Sequence, residues 1–245
     1  VRLPRLPWIV ALMLLAWPAA AAAQEVTLSL GDGGSLTARS IQLILLITVL
    51  SLAPGLLMMV TCFPFLVTVF AILRQAIGLQ QSPPNMLIVS LALFLTYFVM
   101  EPVFQQAWTD GIEPVLQEEI EIEVALPRMI APFRAFMASR VDPDTFHEVA
   151  SMRPGVNMVE PGPEAALSVL VPSFLLSEIA RAFQVGFLVF LPFLIIDLVV
   201  AAVLMSMGMM MVPPAIVSLP FKLAFFVIAD GWSLVAGAMV RGYAN

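Results

Sequence analysis

The sequence predicts an all-α, membrane-type protein of long, kinked helical hairpins with a polar helical insertion between them. Three observations lead there. Of 245 residues, 61% are hydrophobic and 11% charged, and the mean hydropathy is +1.00, more apolar surface than a soluble core can enclose. The apolar residues fall into long runs interrupted by proline, the pattern of membrane-length helices that bend or break. No segment alternates apolar and polar residues between hairpin turns, and there is no internal repeat of roughly 20–50 residues.

Taken from the amino terminus, Arg2 and Arg5 precede an apolar stretch at 8–17, then Pro18 and a run of alanines to Ala23. This is the layout of a cleavable signal peptide over 1–23, leaving Gln24 as the mature end. The stretch is short for a span of about 20 residues, which argues against an anchor helix. Residues 24–40 are polar and Gly-containing. The first apolar hairpin is expected over 41–107: an apolar run over 41–73, interrupted by Pro54-Gly55 and Pro64, a loop around Pro83-Pro84, and a second apolar helix over 86–100 ending near Glu101-Pro102.

Residues 108–165 form the insertion. Between 110 and 164 there are eleven Asp or Glu against four Arg, a net charge of −7, so the chain's overall −6 is a property of this one segment. No basic stripe with interleaved aromatics remains, which excludes nucleic-acid binding. The spacing of Met129, Phe133, Phe136 and Met137 predicts a short amphipathic helix over 126–138. A second apolar hairpin follows over 166–245, turning at Pro213-Pro214. With a cleaved leader, four crossings place the insertion and the carboxyl end outside and the Pro213 turn on the cytoplasmic side.

Few residues carry recognisable chemistry. Cys62 is the single cysteine, so neither a disulfide nor a multi-cysteine metal site is available. His147 stands among acidic residues in the insertion and reads as a solvated side chain; no metal and no cofactor are expected. There is no His-Glu-x-x-His motif, no Gly-x-Ser-x-Gly elbow and no phosphate-binding Gly loop, so no enzyme reading survives.

The informative residues are charges inside apolar runs, where an unpaired charge is expensive. Glu178 and Arg181, three apart, share a helix side; they read either as a local salt bridge at a helix end or as a contact with a neighbouring subunit. Lys222, Phe226 and Asp230 fall on one helical stripe. Lys222 and Asp230 lie about 12 Å apart along the axis, so Lys222 needs another partner, and Asp197 is the simplest. Met209, Met210 and Met211 sit at the turn before Pro213-Pro214. They read either as packing at a hairpin tip or as an adaptable apolar closure.

Several segments then resemble the FliP family of flagellar export-gate proteins: Pro172-Ser173-Phe174-Leu175-Leu176-Ser177-Glu178, Ala182-Phe183-Gln184-Val185-Gly186-Phe187, Pro192-Phe193-Leu194-Ile195-Ile196-Asp197, Met207-Gly208-Met209-Met210-Met211-Val212-Pro213-Pro214, Leu219-Pro220-Phe221-Lys222-Leu223 and Asp230-Gly231-Trp232. In the first half Leu73-Arg74-Gln75, Pro83-Pro84-Asn85 and Leu91-Ala92-Leu93-Phe94-Leu95-Thr96 also match. Cys62-Phe63-Pro64-Phe65 departs from the family's usual Ser-Phe-Thr-Arg, and Met86 replaces a common glutamine. The resemblance implies a homo-oligomer of about five copies that joins FliQ and FliR in a helical multi-subunit pore for unfolded protein substrates, with FlhB and FlhA as further partners. It also implies a place in the flagellar basal body at the bacterial inner membrane, in contact with lipid, with the insertion facing the periplasm. It makes the methionines a constriction and Glu178, Arg181, Asp197, Lys222 and Asp230 candidates for subunit contacts. A self-contained secondary transporter or ion channel is the alternative.

Overall fold

The computed structural model describes residues 36–79, 82–153, 160–209 and 211–243; the expected leader and most of the polar segment after it lie outside these residues, as does Met210. All the regular structure described is helical: α1 Leu36–Met59, α2 Phe63–Ile77, α3 Asn85–Ala107, a π-helical turn Trp108–Ile112 leading into α4 Glu113–Leu116, α5 Ile122–Arg140, α6 Pro143–Ser151, α7 Leu167–Ser206, α8 Pro214–Ile228 and α9 Gly231–Arg241. Residues from Leu50 onward form one compact unit. The described side chains of α1 are exposed from Arg39 to Met59.

The first apolar run breaks in a different place from the one the prolines suggest. The helix continues through 54 and 55 and ends at Met59; the turn falls at 60–62. Pro64 then occupies the first turn of α2, where its missing N–H costs nothing and its fixed φ suits the helix. The break turns a single long run into two helices of unlike fate. Whereas α1 is exposed, α2 is the centre of the fold, with Phe65, Leu66, Val69, Phe70, Leu73, Ala76 and Ile77 all buried. It ends at Gly78, whose φ of 90° is left-handed and whose N–H bonds the Gln75 carbonyl. Arg74 donates to the Asn85 side chain and to the Pro83 carbonyl, tying the loop that starts α3 to the end of α2.

Two further boundaries differ from expectation. Pro102 does not stop α3, which runs on to Ala107 and passes into the π-helical turn and α4, so apolar helix extends to Leu116. At the other end the apolar run after Pro213-Pro214 is two helices, α8 and α9, bent by 60°. The bend is made at Asp230, in a left-handed conformation with φ 47°, which Asp tolerates better than most residues. Gly231 follows because the Phe226 ring fills the space a Cβ would need, at 2.1 Å.

The spine is α7, 40 residues long and so about 60 Å, roughly twice the hydrocarbon thickness of a bilayer. It continues through Pro172 and Pro192 and packs along α2. At Gly186 the two helices approach so closely that a Cβ would stand 2.4 Å from Ile72 Cδ1 and 3.1 Å from its Cγ2. Next to this core, Met137, Val141, Phe146, Ala150, Val169, Leu170 and Phe174 form a second apolar cluster where α5 and α6 of the insertion meet the start of α7. The insertion is thus a packed helical unit. Its α6 is capped by Asp142, whose carboxylate accepts from the Thr145 N–H at 3.0 Å and hydroxyl at 2.9 Å.

Gly186→Leu is expected to lower stability by about 1–3 kcal/mol through overpacking, and Ile72→Ala in the same chain is expected to restore part of the loss. Thermal unfolding of the single and double variants in detergent measures both. Additive losses in the double variant would mean that the helices do not meet there.

Candidate functional site

Two buried charge clusters and one exposed methionine turn are the parts of the molecule with functional character, and all are arranged along α7. The first cluster centres on Glu178, which has no solvent exposure. Its Oε1 accepts from Arg181 Nη1 at 2.9 Å and from Arg140 Nε at 3.1 Å, and its Oε2 accepts from the Tyr243 hydroxyl. The sequence brought Glu178 and Arg181 together; the other two partners come from the last turn of α5 and from the segment after α9. The pair lies well inside α7 rather than at a helix end. Arg140 also donates from Nη1 to the Gly242 carbonyl at 3.1 Å and stacks over the Tyr243 ring at 4.1 Å. Arg181 Nη2 donates to the Arg140 carbonyl at 3.3 Å, and the Asp142 N–H donates to Ser177 Oγ at 3.0 Å. Burial and the neighbouring Glu178 carboxylate push the Tyr243 phenol above its ordinary range, so it stays protonated and donates.

The second cluster lies near the far end of α7. Lys222 Nζ is 2.6 Å from Asp197 Oδ2, the pairing the sequence suggested, and it also donates to the Ala76 carbonyl at 3.1 Å. Asp197 Oδ1 accepts from the buried Ser218 hydroxyl at 2.6 Å. A cation at the carboxyl end of α2 opposes the negative end of that helix's dipole, so one lysine locks three helices together. Phe226 shares the buried stripe with Lys222, but Asp230 does not: it sits at the bend, exposed, and within this chain is not a buried charge.

Beyond Asp197 the chain turns at 207–213. Gly208 adopts a left-handed φ of 74°, and Met205, Met207, Met209 and Met211 are all exposed, Met211 almost fully. Met205 and Met207 thus join Met209 and Met211 on this turn. An apolar groove of 610 Å³ runs beside it, lined by Val199, Val203, Met207, Met209, Val217 and Phe221 among others. Among the described residues no three His, Cys, Asp or Glu side chains are grouped as a metal site.

The FliP family profile matches residues 46–239, which contain both charge clusters, apart from Tyr243, and the methionine turn. The chain belongs to the FliP family. It is 51% identical over 227 residues to the flagellar biosynthetic protein FliP of Caulobacter vibrioides, covering 92% of this chain and 85% of that one. It is 48% identical to that of Agrobacterium fabrum, over 94% and 96% of the two chains, and 41% identical to that of Bacillus subtilis, over 83% and 92%. Set against the FliP match, three helices are long and apolar enough to cross a membrane, and a fourth span is available if the bent α8–α9 pair counts as one.

Tyr243→Phe removes one hydrogen bond to a buried carboxylate while leaving the ring on Arg140, and is expected to cost about 1.5–3 kcal/mol, read as a fall in unfolding temperature. For the second cluster, Lys222→Ala is expected to reduce stability by a similar amount and to impair assembly. The exchange Lys222→Asp with Asp197→Lys should recover only part, because a carboxylate at 222 cannot bond the Ala76 carbonyl; no recovery at all in unfolding or assembly assays would show that the direct pair contributes little.

Proposed function

We propose that the chain is a core subunit of the flagellar type III protein export gate, forming with further copies of itself and with FliQ and FliR the entrance pore through which unfolded substrates pass. In this reading it sits at the bacterial inner membrane in the flagellar basal body, with the insertion on the periplasmic side and FlhB and FlhA alongside the assembly. Its work is passage rather than chemistry.

The observation that carries the proposal is what the chain leaves unpartnered. Its internal charges are satisfied: Glu178 by Arg140, Arg181 and Tyr243, and Lys222 by Asp197 and the Ala76 carbonyl. Its apolar faces are not. Leu43, Ile44, Ile47 and Leu50 of α1, Phe94, Tyr97 and Phe98 of α3, and Phe183, Phe187, Leu194 and Leu198 of α7 are all exposed. Faces of this extent require lipid or other subunits, and a helix about twice the membrane thickness cannot be covered by lipid alone. Family membership supplies the kind of assembly.

The methionine turn is assigned the closing role. Met209, Met210 and Met211, with Met205 and Met207 beside them, offer unbranched apolar side chains that several copies around an axis would interleave against ions and part for a passing chain.

Extraction in mild detergent followed by mass measurement is expected to yield several copies of the chain with small helical partner proteins; a lone monomer would overturn the proposal. Replacing Met209, Met210 and Met211 together by Ala is expected to leave the complex assembled but leaky to small ions in a planar bilayer, with export retained in part. Unchanged conductance in an assembled triple variant would place the seal elsewhere.

A further inference from the structure

Between α7 and α9 lies a groove of 410 Å³ whose two ends differ in chemistry. One end is formed by Arg140 and Arg181. The walls leading away from it are Val185 and Val189, one and two turns beyond Arg181 on α7, with Leu234 and Ala238 on α9 opposite. The run from Arg181 to Val189 is about 12 Å long.

The cationic end carries surplus charge. Two guanidinium groups share a single buried carboxylate, that of Glu178. Arg140 uses Nε and Nη1, and Arg181 uses Nη1 and Nη2; among the described residues Arg140 Nη2 and Arg181 Nε have no acceptor. The other carboxylate near Arg181 is Asp142, whose Oδ2 is engaged in capping α6 through Thr145. The third arginine of the region, Arg241, folds back along α9 toward Gly237. The position of this charge along α7 is equally specific. From residue 182 to 206 the helix carries one charge, Asp197, so Arg181 stands where the polar insertion gives way to a membrane-length apolar stretch. That is the depth at which a headgroup meets its acyl chain, and where arginines extend toward the polar layer.

We propose that this groove binds an anionic phospholipid, its phosphate on Arg140 and Arg181 and one acyl chain laid between Val185, Val189, Leu234 and Ala238. The occupant follows from the two chemistries together. Free phosphate leaves the apolar walls bare, a zwitterionic lipid does not offset the extra guanidinium, and an apolar helix from another subunit leaves the free N–H donors without acceptors. A volume of 410 Å³ falls within the roughly 300–1,000 Å³ of small-molecule sites and suits one chain rather than a whole bilayer patch. The site does not depend on the export-gate reading; it requires only that α7 be in a membrane.

The test uses the full chain, purified with its co-assembled partners in mild detergent, stripped of lipid and re-exposed to phosphatidylglycerol, phosphatidylcholine or inorganic phosphate. Native mass spectrometry is expected to show retention of phosphatidylglycerol about tenfold above phosphatidylcholine, a difference of about 1.4 kcal/mol, and inorganic phosphate is expected not to raise the unfolding temperature. Ala238→Trp fills the groove without touching either arginine or Glu178, and is expected to abolish the preference in a complex of unchanged mass. Arg181→Gln should lose it too. A photo-reactive p-benzoylphenylalanine at position 189 is expected to form adducts of lipid mass. Equal retention of the two lipids, retention that survives Ala238→Trp, stabilisation by inorganic phosphate alone, or chain-to-chain adducts from position 189 would each overturn the assignment.

Discussion

A carboxylate without access to water must be bonded on both oxygens or be neutralised, because the cost of leaving it bare exceeds what packing can return. Glu178 meets this requirement only when three distant parts of the chain converge: the end of the insertion at Arg140, the middle of α7 at Arg181, and the segment after α9 at Tyr243. The aromatic contacts repeat the convergence. Tyr243 stacks on Phe136 of α5, 6.2 Å between centroids, and meets Phe65 of α2 edge-on at 5.6 Å. Once these are in place α2 is enclosed between α3, α7 and the carboxyl-terminal helices, so the main apolar core is closed by a polar junction at its edge.

The same helix is tied again further along. Glu178 and Asp197 are 19 positions apart on α7, about 28 Å along the axis, close to the thickness of a bilayer's hydrocarbon layer. Between the two ties the charged side chain other than these is Arg181, and the inward contacts are those of small residues, Ala182 and Gly186, against α2. Small residues let the two backbones close to a distance where dispersion accumulates, and the charges at either end fix the register that this slippery interface leaves open. The outward side keeps Phe183, Phe187, Leu188, Leu194, Ile195 and Leu198 exposed, a continuous apolar face with no directional group on it.

The all-helical class and the existence of the long apolar helices were legible because their lengths and the missing alternation exclude other solutions. The Asp197–Lys222 pair was legible by elimination, since a lysine in an apolar run has few carboxylates to choose from. Arg140 and Tyr243 were not, because they lie 38 and 65 residues from Glu178 and nothing in local spacing links a tail tyrosine to a helix interior. The prolines misled for a specific reason. A proline breaks a helix from within but starts one from its first turn, and the sequence does not say which position it holds; Pro64 starts α2, while Pro102, Pro172 and Pro192 sit inside helices that continue. Asp230 joined a helical stripe on paper only because the bend at that very residue has no periodic signature. Of the methionines, the run at 209–211 was visible as a run, whereas Met205 and Met207 reach the same surface through the turn at Gly208.

In the export-gate reading, the closing element has to part for chains of any sequence and then reseal, which directional bonds would obstruct. The turn beyond Asp197 has that character. Its backbone is held by local bonds, Met209 N–H to the Leu204 carbonyl at 2.9 Å and Val212 N–H to that of Met209 at 3.4 Å, while its methionine side chains are exposed. The nearest firm tie is the Asp197–Ser218–Lys222 cluster, which also grips the end of α2. Stiffness thus ends at that cluster and adaptability begins past it: a lysine too deeply buried to move (5% exposed) marks the base of a hairpin whose tip is soft. A closure built this way responds to a passing chain by rotating methionine side chains, without breaking the charge pair that keeps α2, α7 and α8 in register.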